Sequence, residues 1–349
     1  MNMMEKQFSV IRGASQRKIL SVCLVLAALQ AFPLATAQEP KAAEGKKKQI
    51  LLMRPGKEAK ESNEAQAALE KLGQQTGLWN VVVTYTGNEV LDPVELAKFD
   101  VVFTHDCQPG PEATWRPPGV FPKNLFDWIS KGGALIAFHS SFLNREYGQF
   151  LGGERQGHPW GGWEPVPFVN SAPGHPIMKG TPPEFQLAEE IFDWNLRDTR
   201  LFPENFHLLI SVDMAKAKPK VDHAVPVAGC AEHGQGRIYF NHWGHWGRTF
   251  HDMWFQGHLT NVFRWATKMD EGSPTQPNPD YTKFEDAKAF VTFHADKEGM
   301  PQAGFGSFYA MTATTHPALA KTHVETVAKL RKGEGSIPEF LKSLSRGTP

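Results

Sequence analysis

The apolar positions of this chain fall into short unbroken runs separated by stretches of helical spacing. Gln49–Met53, Asn80–Thr84, Asp100–Thr104 and Ala134–Phe138 read as strands, and the last run, which lacks polar alternation, as one buried on both faces. Between them, Glu61–Gln75 places Ala65, Ala68, Leu69 and Leu72 on one helical face. Asp92-Pro93 opens a short helix, with Asp as its cap and Pro in the first turn, and Asn124–Lys131 turns Leu125, Trp128 and Ile129 inward. The order β-α-β-α-β-α-β predicts a parallel sheet wound on both faces, with right-handed crossovers.

After Ser141 the pattern loosens. Pro109–Pro122 already reads as an irregular loop; Arg145–Leu151 fits a short helix, and Gly152–Trp163, rich in Gly and Trp, reads as a second loop. An edge strand is expected at Val166–Val169. Further strands are expected at His207–Val212, Val225–Ala228 and Arg237–Asn241, the last entered through the tight turn Gly234-Gln235-Gly236. Trp254–Lys268 is the closing helix. From Asp270 a Pro/Asn/Ser linker leads to weaker patterning, with helical stretches near Ala318–Leu330 and Pro338–Leu344. This tail is too polar and short to build its own core.

The amino terminus has a different logic. Arg12, Arg17 and Lys18 precede the apolar run Ile19–Ala31, and Ala35-Thr36-Ala37 supplies small residues for cleavage. This is the pattern of a secretory signal peptide, too short and wrongly flanked for a stable span. The expected organisation is therefore a signal peptide at 1–37, a linker at 38–48, one α/β domain at 49–269, and a linker with a C-terminal helical extension at 270–349. The expected location is the periplasm or the extracellular space. No membrane partner is expected after cleavage. An uncleaved anchor is the alternative.

Composition narrows the function classes. The formal net charge is zero, and removal of residues 1–37 takes four basic residues and one acidic residue, leaving −3. With no basic face for phosphates, a nucleic-acid partner is not expected. Two cysteines, Cys107 and Cys230, lie beyond the leader; export permits their pairing, and two ordinary thiols are the other reading.

Ten of the 14 histidines lie between His139 and His258. His139 follows the run Ala134–Phe138, and His245 follows the last strand. Strand ends on one edge of a parallel sheet gather over one crevice, where open α/β sheets bind ligands. His158 lies in the Gly/Trp loop that could fold over the same crevice, and Glu189 and Glu190 are the nearest carboxylates. Three chemistries compete. His139, His245, Glu189 and Glu190 could act as general acid and base. Two or three of His139, His158 and His245, with a carboxylate, could hold a divalent ion such as zinc. Trp160, Trp243 and Trp246, with His158 and Ser140, could form a sugar-binding platform, since an indole packs on the apolar face of a pyranose. A serine-nucleophile hydrolase is disfavoured: His139 stands at the elbow position, and Gly-x-Ser-x-Gly is absent.

Several blocks together resemble the trehalose-utilisation (ThuA-like) family. They are Phe99–Val102, Gly132–Ser140, Leu151-Gly152-Gly153 with Gly157–Trp160, His175-Pro176-Ile177, Glu189-Glu190-Ile191, Pro226–Ala228, Gly234–Tyr239 and Gly244-His245. The resemblance implies a flavodoxin-like, mostly parallel sheet with helices on both faces, similar to class I glutamine amidotransferases. There His139 takes the place of the nucleophilic cysteine, and His245 lies close to the late-strand histidine, which removes amidotransferase chemistry. It also implies a small-molecule carbohydrate as partner. The function expected is processing of disaccharides or 3-keto-glycosides by His/Glu acid–base chemistry, with a metal as an option; a non-catalytic sugar-binding protein is the alternative. Two positions depart from the family pattern: Arg54-Pro55-Gly56 replaces a His-containing Gly loop, and Gly229 stands where Trp is usual.

Overall fold

A computed structural model describes residues 46–90, 92–107, 123–142, 154–195 and 206–269, with isolated positions 325, 328, 329 and 332–334. The expected signal peptide, most of the 38–48 linker, the loop at 109–122, the helix at 145–151 and nearly all of the C-terminal extension lie outside the described residues.

The sequence runs become β1 (Lys48–Met53), α1 (Lys60–Thr76), β2 (Trp79–Thr84), α2 (Pro93–Leu96), β3 (Val101–His105), α3 (Lys123–Ser130) and β4 (Ala134–Phe138). Then follow β5 (Glu154–Asn170), β6 (Glu184–Asn195), β7 (His207–Val212), β8 (Pro226–His233), β9 (Gly236–Asn241) and α4 (Met253–Ala266). Local chemistry sets the ends. Asp92 caps α2 by accepting from the Val94 amide at 2.8 Å, and Asp252 caps α4 through the Phe255 amide at 3.1 Å. Gly77, at φ 69°, closes α1 in a conformation that a side chain would disfavour.

Among the described residues, one sheet carries all nine strands in the order β2-β1-β3-β4-β9-β8-β7-β5-β6. Pairings from β2 through β9 are parallel, and those from β9 to β6 are antiparallel. The expected α/β core is therefore present, and it continues into an antiparallel half. Alternate residues of each central strand feed two apolar layers. Ile50, Leu52, Val101, Phe103, Ile136 and Phe138 pack with α1 and α4, whereas Leu51, Met53, Val102, Leu135 and Ala137 pack with α2 and α3. Burial on both faces explains why these strands show no polar alternation. Among the described residues, no helix is long and apolar enough to cross a membrane. Cys107 and Cys230 are both buried and free.

The principal correction to the sequence reading is at Gly152–Trp163. From Glu154 this stretch is strand: β5 runs for 17 residues against β6, with register irregularities between Arg155 and Gly157, Gly157 and Trp160, and Gly161 and Pro165. Gly and Pro lower strand propensity, but a long antiparallel partner overrides it and bulges absorb the misfits. Only Phe168–Asn170 of β5 pairs with β7. The rest forms a two-stranded ribbon with β6 that reaches the C-terminal edge of the parallel half.

Candidate functional site

Neighbouring strands β3 and β4 end side by side, because His105 is paired with Phe138. The next residue on each strand, Asp106 and His139, adopts the left-handed region, at φ 51° and φ 56°. Non-glycine residues hold that conformation only where their surroundings fix it, and such positions concentrate at functional sites. The turn lifts both side chains toward one point. The Ser140 hydroxyl donates to Asp106 Oδ1 at 2.5 Å, and this oxygen lies 3.8 Å from His139 Nε2.

β9 delivers the second histidine. His242, Trp243, Gly244 and His245 follow its last residue, and the Gly244 peptide is clamped from both sides. Its N–H donates to Glu189 Oε1 at 3.1 Å, and its carbonyl accepts from His105 Nε2 at 2.8 Å. Because a carbonyl only accepts, the proton of His105 is on Nε2, and Nδ1 accepts from the Ser62 hydroxyl at 2.8 Å. Gly244 has φ 107°, and a Cβ there would sit 3.0 Å from His105 Nε2, so the clamp requires glycine. Burial holds His105 down at about 4, keeping it a neutral strut.

The β5–β6 ribbon supplies the carboxylates, and strand alternation gives the two adjacent glutamates opposite tasks. Glu189 is fully buried. It accepts from Thr249 Oγ1 at 2.6 Å and the Gly244 amide through Oε1, and from the Glu190 amide at 3.0 Å through Oε2. Burial raises its carboxyl above the ordinary value against these donors. Glu190 faces the histidines instead. Its Oε2 is 3.2 Å from His245 Nδ1 and 3.5 Å from His139 Nε2, while its Oε1 is 3.5 Å from His158 Nδ1. The two imidazoles meet at 3.2 Å, His245 Nδ1 to His139 Nε2. The ribbon also sets Phe192 5.0 Å from the His139 ring.

Electrostatics separates these groups. Burial works to raise Glu190, but the imidazoles of His245, His139 and His158 bring it down to about 2. Burial lowers His139, and the neighbouring His245 adds to this against the pull of Asp106 and Glu190. His245 goes the other way: burial opposes its charge, yet its hydrogen bond to Glu190 raises it. His139 Nδ1 donates to the His242 carbonyl at 3.2 Å, which leaves the Nε2 lone pair directed at the cluster. Among the described residues, His139, Glu190 and His245 are the group whose donor atoms could share a metal ion.

The family model described as trehalose utilisation matches residues 49–266, the whole α/β unit that carries this cluster. The chain belongs to that family. Among solved structures, a ThuA-like protein from Bacteroides uniformis is similar at 20% identity and TM-score 0.51, covering 70% of this chain and 98% of its own. A ThuA-like protein from Parabacteroides merdae is 15% identical with TM-score 0.46, covering 68% of this chain and 94% of its own. At this identity the former shows a shared fold. No curated protein matches the chain. Membership suggests a carbohydrate-related role.

The site residues expected from the sequence separate into groups. His139, His245, Glu190, Ser140 and His158 converge, His158 from the outer rim with a half-exposed side chain. Glu189 is adjacent but buried behind the cluster, where it holds the loop. Of the histidines and carboxylate expected to hold a metal, the structure brings together His139, His245 and Glu190, with His158 beside the carboxylate. The tryptophans are placed otherwise than a stacking platform requires. Trp243 is fully buried among Phe168, Phe185, Trp254 and Phe255; Trp160 is buried; and Trp246 lies beneath the surface, edge-on to His245 at 4.3 Å with Arg248 over its ring. A sugar platform needs open indole faces, and these are covered by protein. Asp106, His105 and Thr249 were not identified as functional from the sequence. For Asp106 the signal was its place beside His139 at the end of the preceding parallel strand. Gly229 also has a local reason: a Cβ would lie 2.7 Å from both Phe206 and Phe240.

Proposed function

We propose that the protein is an exported carbohydrate-processing enzyme that acts on keto-sugar glycosides at the His139–Glu190–His245 cluster. The observation that carries this reading is the meeting, at one strand edge, of the Glu190 carboxylate, the His139 and His245 imidazoles and the rim carboxylate Asp106, with neighbouring groups 3.2–3.8 Å apart. Paired titratable groups held at different proton affinities are what proton abstraction beside a carbonyl needs. In a 3-keto-glycoside the C2 proton is acidified by the C3 carbonyl. Asp106, half-exposed and ordered by Ser140, takes that proton; the cluster beneath it stabilises charge on the ketone oxygen. The enolate re-forms the carbonyl and expels the glycosidic oxygen from C1, which takes the proton held by Asp106 and leaves as an alcohol. Water adding to C1, with a proton returned to C2, gives net hydrolysis. Family membership supports a sugar as substrate, and the apolar run Ile19–Ala31 before Ala35-Thr36-Ala37 supports export.

The alternative, sugar binding without turnover, would need an exposed aromatic platform. The burial of Trp160, Trp243 and Trp246 does not favour it. The test is incubation of the protein with 3-keto-trehalose and with trehalose. Cleavage of the keto-sugar alone, reduced at least about 100-fold in Asp106→Asn, is expected for loss of a general base. Absence of keto-sugar cleavage by the wild type removes the reading.

A further inference from the structure

We propose that His139 Nε2, His245 Nδ1 and Glu190 Oε2 are the protein ligands of one divalent transition-metal ion of the zinc type. Their pairwise separations are 3.2 Å between the imidazole nitrogens, 3.2 Å from His245 to the carboxylate and 3.5 Å from His139 to it. Three atoms each roughly 2.0–2.2 Å from a common ion, at tetrahedral angles, lie about 3.3–3.5 Å from one another. The three donors already describe one face of such a shell.

Protonation points the same way. His139 commits its Nδ1 hydrogen to the His242 carbonyl, so its Nε2 offers a lone pair. Glu190 offers a second acceptor. One hydrogen on His245 Nδ1 would have to serve both at 3.2 Å, the long limit of an N–H···O bond. A cation at the centre satisfies all three donors at once. The His139–carbonyl bond is the outer partner that metal-bound histidines normally have. The ligands come from three separate elements, the β4 end, β6 and the loop after β9, and the Glu189–Gly244–His105 clamp fixes the last of them. Two imidazoles and one carboxylate with open positions are the donor set of catalytic zinc and related ions. The use of the ion, to polarise the ketone oxygen of the substrate, rests on the proposed carbohydrate reading; its binding does not.

The experiment uses the full chain without a polyhistidine tag, stripped by chelator and dialysed to equilibrium against Zn²⁺, with metal analysis and a parallel Co²⁺ absorption spectrum. One Zn²⁺ per folded chain is expected, together with visible Co²⁺ bands of low coordination number. Affinity should fall more than about 100-fold in His245→Ala and in the isosteric Glu190→Gln, and remain unchanged in His223→Ala. Circular dichroism verifies folding, and Glu190→Gln keeps the test decisive if His245→Ala does not fold. Failure of the folded wild type to bind Zn²⁺ or Co²⁺, or stoichiometric binding that survives in Glu190→Gln, overturns the site. Metal binding without keto-sugar turnover upholds the site and removes the carbohydrate reading. Keto-sugar turnover by a folded chain that takes up neither ion overturns the site and keeps that reading.

Discussion

Glu189→Ala tests the scaffold of the site. The side chain is fully buried and receives three donors: the Thr249 hydroxyl at 2.6 Å, the Gly244 amide at 3.1 Å and the Glu190 amide at 3.0 Å. The hydroxyl can rotate to another acceptor, whereas the two amides are fixed. Leaving two buried N–H groups without partners costs roughly 1–3 kcal/mol each, so about 2–6 kcal/mol is expected. That is a large part of the roughly 5–15 kcal/mol that stabilises a domain. Glu189→Gln is the milder case. Its amide oxygen can still accept from Gly244 and Thr249, its NH₂ then faces the Glu190 amide, and loss of the buried charge offsets part of that conflict. About 1–3 kcal/mol is expected. Urea denaturation gives both values. A second readout separates scaffold from simple stability: at temperatures where both variants are folded, Glu189→Ala should weaken metal binding by displacing His245, and Glu189→Gln much less. A loss under about 1 kcal/mol in Glu189→Ala, with binding unchanged, would refute the clamp.

Further expectations follow from other contacts. Gly244→Ala forces a side chain into φ 107° and against His105 Nε2, so it should cost about 1–3 kcal/mol and lower turnover, read by thermal denaturation and initial rates. His223 lies between Asp222 and Asp193, at 2.8 and 2.6 Å, and the bond to Asp222, joined by Asp193, raises its proton affinity. A raised folded value means that its contribution to stability is complete below the ordinary value of about 6.5 and disappears as pH rises through the folded value. NMR titration should place His223 above 6.5 in the wild type and lower in Asp193→Asn. Export predicts that the mature chain begins at Gln38; mass spectrometry of a periplasmic fraction checks this, and an intact leader there would contradict it.

The parallel half was legible because its strands are buried on both faces. Ala134–Phe138 and Val101–Thr104 left little room for another reading, and their ends located His139 and, with the resemblance, the crevice. The β5–β6 ribbon was not legible. Gly157, Gly161 and Gly162, with Pro159 and Pro165, carry the local signature of a loop, and only pairing with residues 23 or more positions away makes them strand. That pairing splits Glu189 from Glu190, which adjacency in sequence had left interchangeable: one becomes a buried strut and the other faces the histidines. Asp106 was overlooked because its meaning depends on a neighbour 33 residues later, set beside it by strand register. The sugar platform at Trp160, Trp243 and Trp246 was misplaced because the exposure of an indole is decided by tertiary packing, which residue type alone does not show.

The central claim is proton abstraction from a keto-sugar at this cluster, and hydrogen exchange at C2 reads it without waiting for bond cleavage. 3-Keto-trehalose dissolved in D₂O with the protein and followed by proton NMR should lose its C2–H signal far faster than in buffer, and Asp106→Asn and Glu190→Gln should return the rate close to that of buffer. Exchange no faster than buffer with the folded wild type, or an acceleration that survives both substitutions, would contradict the account.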